Sequence, residues 1–306
     1  MAMTHARPTV CGFSFGKNLT KLNYPIEAAV HSVLPLCDEF VFAVGQSEDD
    51  TRQRVANISP KITIIDTQWP EIQVDGTVLA VEANKALDAA QATGCRWGIY
   101  IQADEVIHED DLSLMEQAMA RHADDPQIKA LLFRYLHFVL DYQTTDPWMY
   151  HKASRIMKLD QGLRIFGDAC GPGMPQYTGN KNDGYLDKNH MGSHVAWAEG
   201  KNAQGRTAQA RVFHYGWVKT RQQLDTKFEM VEKLWWGSLS QEEKEKRKTN
   251  KFGDFIGRYG FLKNYKGSHP KLMSQLIQAH EPYGKNRNRW LNPRFYREIL
   301  SHGFKG

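Results

Sequence analysis

Two acidic side chains at the end of an apolar run carry the clearest chemical signal in the chain. In RWGIYIQADEVIHEDDL, residues 96–112, a hydrophobic stretch gives way to Asp104 and Glu105. Such a run reads as a buried strand, and in open α/β sheets ligands bind at the C-terminal edge of the strands. A carboxylate there can hold Mg2+ or Mn2+, ions that take hard oxygen ligands and share them with substrate phosphates. On alternating strand geometry Gln102 and Asp104 point the same way and Glu105 the opposite way. A plainer reading stays open, in which Glu105 to Asp111 only caps the following helix.

A second group lies in Val212-Phe-His-Tyr-Gly-Trp-Val-Lys219. Neutral imidazole suits Mn2+-class ions and protonated imidazole suits phosphate, so His214 is a candidate metal or diphosphate ligand. Lys219, Arg221 and Lys227 could add positive charge for phosphate oxygens. The alternative is a strand-end histidine among packed aromatics. Asp168, in FGDACG, and Asp183, in KNDGY, are the candidate bases. Asp168 is preferred because it follows directly on an apolar run; either could instead be a turn-forming loop aspartate. Arg155 could orient a phosphate or the Asp168 carboxylate, or could be a surface charge.

These residues need a scaffold, and the first half of the chain supplies one by alternating β-type runs with amphipathic helical stretches. Strands are expected at 9–15, 40–44, 62–65 and 97–102, then at 129–140, 153–159 and 211–215. Helices are expected after Asn23, read as an N-cap with Pro25 in the first turn, over 77–92, from His108 through Arg121 to a stop at Pro126, and over 220–236. Residues 162–205, rich in Gly, Asn, Asp and Pro, read as a long functional loop, with 162–192 a candidate acceptor lid. Short helices are expected at 270–280 and 293–302, and QEEKEKRKTNK as a solvated charge run.

Composition narrows the class. The chain has 306 residues, 41% of them hydrophobic and 24% charged, which excludes a disordered or fibrous protein. Cys11, Cys37, Cys95 and Cys170 are scattered without metal-finger spacing, which fits a reducing compartment. Without a signal-peptide core or a spanning apolar run, a cytoplasmic location is expected. Residues 1–200 hold 17 Lys and Arg against 26 Asp and Glu, and residues 201–306 hold 22 against 9, a balance of −9 followed by +13. The basic third could face phosphates, nucleic acid or anionic lipid, or simply solvent.

The succession of strand, helix, GQSEDDT turn, further strand and helix, then IYIQADEV, resembles the family 2 glycosyltransferases with the GT-A fold. QADEV and the later HYGW resemble a bacterial subgroup of that family. The resemblance covers roughly residues 8–219. Ser47, Asp49 and Thr51 match the family's turn, whereas the acids that precede it and contact the nucleoside are replaced by Val44 and Gly45. At the D-x-D position stand Gln102, Ala103 and Asp104, so the second acid matches and the first is a neutral amide, a weaker ligand for a hard cation.

The resemblance implies an α/β, Rossmann-like GT-A domain with a mostly parallel sheet flanked by helices over residues 1–218. A helical, basic C-terminal extension then covers 219–306. It implies an enzyme moving a sugar, with inversion, from a nucleoside diphosphate sugar to a hydroxyl acceptor borne by a glycan, lipid or protein. The cation would be Mn2+ or Mg2+, held by Asp104 and His214. The donor-binding set comprises Phe13, Ser47, Asp49, Gln102, Asp104, Arg155 and Lys219, with Asp168 or Asp183 as base. The departures at Val44, Gly45 and Gln102 leave a non-catalytic nucleotide-sugar or glycan-binding protein as the alternative. Nucleic-acid binding rests on the basic third alone and is the weaker reading. The +13 balance with Trp235, Trp236, Tyr283 and Trp290 adds the expectation of peripheral docking to an anionic membrane face.

Overall fold

The computed structural model describes residues 9–70, 76–147, 149–174, 194–237, 239–245, 262–280 and 293–302. Four strands, β1 (Val10–Gly16), β2 (Glu39–Gly45), β3 (Ile62–Thr67) and β4 (Trp97–Tyr100), run parallel in the order β3-β2-β1-β4. Every residue of β1 is buried, because helices cover both faces of a parallel sheet and remove the inside-outside alternation. The connecting helices are α1 (Ile26–His31), α2 (Thr51–Ile58) and α3 (Val78–Ala92). Small buried residues on α3, Ala80, Ala83, Ala86 and Ala90, let it lie close against the β1 and β2 face.

The sheet then changes character. Strand β5 (Glu105–Ile107) follows β4 after a tight turn, and helix α4 (Leu112–Arg121) leads to the long β6 (Ala130–Val139), the short β7 (Thr144–Thr145) and β8 (Lys152–Lys158). Strand β8 lies antiparallel between β4 and β6. Next come β9 (Arg164–Phe166) and β10 (Gly171–Gly173), an antiparallel pair, then β11 (Val195–Trp197), β12 (Glu199–Lys201) and β13 (Thr207–Gln209). Strand β14 (Arg211–Trp217) joins β6 in parallel and β5 in antiparallel. Helix α5 (Arg221–Trp236) starts with a capping box in which Thr220 and Gln223 satisfy each other's backbone N–H. Strand β15 (Lys263–Asn264) pairs with β7, so this part of the C-terminal third extends the 11-stranded main sheet. The architecture is a mixed α/β fold with a mostly parallel, Rossmann-like central sheet flanked by helices.

Several expectations are corrected. Asn23 is not an N-cap: it adopts a left-handed backbone with φ 49°, and α1 begins at Ile26 behind Pro25. Helix α4 runs to Arg121 as expected but starts only at Leu112, behind a tighter turn at Glu109–Asp111. The segment 162–205 is not one open loop, since its described parts form β9, β10, β11 and β12; residues 175–193, with Asp183 and most of the expected lid, lie outside the described residues. Trp236 is not a surface anchor, and Trp235 is half-buried at the cavity. Trp236 is buried, and the Trp235 ring covers Gly76, whose φ of 72° and lack of a side chain admit it. Tyr283 and Trp290 lie outside the described residues. Among the described residues no helix is long and apolar enough to cross a membrane.

Candidate active site

The turn between β4 and β5 is built to present one carboxylate. Glu105 N–H donates to the Gln102 carbonyl at 3.0 Å, and Gln102 N–H donates to Glu105 Oε2 at 3.1 Å, closing residues 102–105 from both ends. The Asp104 carbonyl accepts from Tyr215 N–H at 2.8 Å, which seats the turn against β14. Strand register then sets the neighbours: His214 lies opposite Glu105 on one side and opposite His137 on the other. Asp104 Oδ2 comes to 3.4 Å from His214 Nε2, and His214 Nδ1 lies 3.3 Å from His137 Nδ1.

Gly216 makes this contact available. A β-carbon there would fall 2.7 Å from His214 Nε2 and closer still to Asp104 Oδ2, so any side chain would occupy the space beside both groups. The motif is legible in the sequence, but not the reason for its glycine. His137 was missed because its strand reads as nearly all apolar. Its period-two relation to Tyr135, on the same face of β6, was the available signal.

Charge concentrates here. Burial works to raise the Asp104 carboxyl, but the charge and hydrogen bond of His214, aided by Lys227 and Lys219, outweigh it and hold the group well below the usual carboxylate range. Burial, reinforced by His214, lowers His137 to about 2, so it is a neutral imidazole. Lys219 donates to the Asn23 carbonyl at 3.2 Å and Lys227 to the Gly216 carbonyl at 2.7 Å, and both ammoniums lie over the Tyr24 ring. Burial lowers Lys219 to about 7, with repulsion from Lys227 adding to it, and lowers Lys227 to about 8 against the pull of Asp104.

A cavity of about 440 Å3 brings together Gln102, Asp104, His137, Asp168, His214 and Lys227. The same cavity is lined by apolar side chains, among them Leu79 and Met230, Val231, Leu234 and Trp235 of α5. Asp168 is exposed at this cavity and accepts a hydrogen bond from the Cys170 thiol. Gln102 Nε2 donates to the Ala169 carbonyl at 2.7 Å and to Tyr100 Oη at 3.1 Å, so its amide ties the turn to the Asp168 loop.

Other expected ligands sit elsewhere. Phe13 is fully buried and stacked on Tyr100 with centroids 5.2 Å apart, so it is a core residue with no surface for a donor. Arg155 is neither a surface charge nor open to phosphate: it is 1% exposed and forked onto Glu105. Lys219 is buried behind the site and acts on it through charge. Ser47 accepts from Asn18 N–H, and Asp49 accepts from Lys21 and Thr51, so both pin the loop after β1. They line a neighbouring cavity of about 380 Å3 with Gly45 and Asp66. Among the described residues, the one group of three potential metal ligands is His108, Glu109 and Asp110. It is a helix start, where His108 Nδ1 accepts from Asp110 N–H at 3.2 Å, so the capping reading holds for this part of the acidic run.

No family model matches the chain, and no curated protein does. Solved structures similar to parts of it include S. aureus TarS in complex with UDP, at 15% identity and a TM-score of 0.32, over 49% of this chain and 47% of that one. Another is glucosyl-3-phosphoglycerate synthase from Mycobacterium tuberculosis in complex with Mn2+, UDP and phosphoglyceric acid, at 15% identity and a TM-score of 0.31, over 50% of this chain and 56% of that one. A longer form of TarS matches at 13% identity and a TM-score of 0.33, with 28% of its length covered. The chain thus spans about half or less of the length of these proteins.

Proposed function

We propose that the chain transfers a sugar from a nucleoside diphosphate sugar to a hydroxyl acceptor in a single in-line displacement that inverts the anomeric centre. The observation that carries this reading is the Asp104–His214 pair, 3.4 Å apart at the end of the parallel strands, in a cavity it shares with Asp168 and Lys227. The motifs around Gln102 and His214 agree with it. The donor set of one carboxylate and one imidazole fits a divalent cation that takes its remaining ligands from diphosphate and water, and Gly216 leaves the space beside both groups clear. Such a cation would supply charge neutralisation for the leaving diphosphate.

The chain's own groups have separate tasks. Lys227 and Lys219 place positive charge behind the diphosphate position without competing carboxylate hydrogen bonds. Gln102 holds the Asp104 turn against the Asp168 loop and takes the place of the family's first acid with a structural tie. Asp168 would receive the acceptor proton as the new glycosidic bond forms and the bond to the diphosphate breaks. Asp183 remains the second candidate for that role.

Calorimetric titration with UDP and with GDP, each with and without Mn2+, tests the reading. At least one nucleotide is expected to bind, more tightly with Mn2+, and His214→Ala is expected to weaken it about tenfold or more, the equivalent of one hydrogen bond to a charged group. Failure of both nucleotides to bind the parent protein, with and without Mn2+, would contradict it.

A further inference from the structure

We propose that Arg155 and Glu105 form a positioning pair that locks the Asp104 turn and the Asp168 loop to one another, so that the cavity keeps its shape before any ligand arrives. Every nitrogen of the guanidinium is used. Arg155 Nε donates to Glu105 Oε2 at 2.7 Å and Nη2 to Glu105 Oε1 at 2.6 Å. Nη1 donates to the Ser154 carbonyl at 2.9 Å and the Cys170 carbonyl at 2.7 Å. The aromatic rings of Tyr100 and Tyr135 lie 5.2 and 5.3 Å from its central carbon.

Glu105 completes the link. Besides the fork from Arg155 it accepts from Tyr135 Oη and from Gln102 N–H. One guanidinium therefore reaches the 102–105 turn through Glu105 and the 168–170 loop through the Cys170 carbonyl. Ala169, held left-handed at φ 65°, adds its carbonyl as acceptor for Tyr100 Oη at 3.0 Å and for Gln102 Nε2. Asp104 is the neighbour of one anchored residue and Asp168 of another, and both face the same cavity.

Stability does not account for the pair. Both side chains are almost completely buried, and the desolvation of two charges consumes much of their attraction, so well-packed apolar replacements of a buried ion pair are often neutral or stabilising. What apolar side chains cannot reproduce is a fork with fixed direction toward two separate backbone segments. The sheet already fixes β5 and β8; the turn and the loop are what the pair adds.

The inference rests on the proposed transfer reaction for its catalytic consequence, and the test separates the two. Removing one partner alone strands a buried charge and is expected to unfold the protein, so the informative variant is Arg155→Met with Glu105→Leu. It is expected to melt near the parent temperature while amide exchange quickens about tenfold in both 102–105 and 168–171, with little change in β1 to β3. Donor turnover is expected to lose about 100-fold in kcat with donor KM within about threefold, the signature of misplacement rather than lost binding. Quickened exchange in one segment only, or parental kcat, would overturn the proposal. If the parent protein turns over no donor, the proposed function fails, and the exchange pattern alone decides the positioning role.

Discussion

The two halves of the sheet are built on opposite principles. In β1, β2 and β3 with their helices the interior is mostly apolar, its largest buried side chains are Phe13, Phe40, Phe42 and Ile26, and, among the described residues, its one fully buried acid, Glu82 on α3, is paired with Lys85. Around β5, β6, β8 and β14 the interior instead holds Asp104, Glu105, His137, Arg155, His214, Lys219 and Lys227, all buried. Buried polar and charged groups cost stability unless paired, so a fold selected for stability alone would not gather seven of them within one end of a sheet. The parallel half is scaffold. The mixed half holds the buried polar groups of the candidate site.

That contrast can be broken from either side. The largest effect is expected from Phe42→Ala in β2, where a fully buried ring leaves a cavity: unfolding free energy should fall by about 3–5 kcal/mol in denaturant titration, with nucleotide affinity kept while the protein stays folded. An equal loss of affinity in the folded variant would show that the scaffold is not separable from the site. Next comes Gly216→Ala. Its methyl would intrude on Asp104 and His214, so donor turnover should drop about 100-fold, with a much smaller change in melting temperature. Parental turnover would mean that the space beside the pair is not used.

The smallest effect is a pH dependence with opposite signs for folding and for binding. Lys219 and Lys227 are lowered to about 7 and about 8 in the folded protein, so between those values and the ordinary lysine value near 10.5 the unfolded chain binds more protons. Their contribution to stability therefore rises with pH across that window. An anionic ligand favours the ammonium forms and must recruit protons, so nucleotide affinity should fall several-fold from pH 7 to pH 9. Calorimetry in buffers of different ionisation enthalpy would register the uptake. Binding that strengthens over this range would show that these lysines do not serve the anion.

The sequence exposed the scaffold more readily than the site because the two halves use different signals. Strands such as Val10–Gly16 and Glu39–Gly45 announce themselves by mostly apolar runs, and the helix over 220–236 by its amphipathic spacing. Asp104, His214 and Asp168 were legible as chemistry at strand ends and loops, and the structure brings them to one cavity. Arg155 was not, because its partner lies 50 residues away and a charge between apolar neighbours looks the same whether it meets water or a carboxylate. Lys219 and Lys227 read as cations for phosphate oxygens, and their burial was hidden for the same reason. Burial is a property of tertiary contacts, and Phe13, apolar in either case, could not be told from a ligand-facing ring until Tyr100 was placed against it.

The most direct measurement of the central claim is donor turnover by Asp104→Asn with and without Mn2+, alongside the parent protein. The substitution removes charge at nearly constant volume from a carboxylate that sits 3.4 Å from His214. Mn2+ is expected to stimulate the parent, and Asp104→Asn is expected to lose about 100-fold or more of that activity while its melting curve is preserved. A folded Asp104→Asn protein that keeps the parental, Mn2+-stimulated rate would contradict the account.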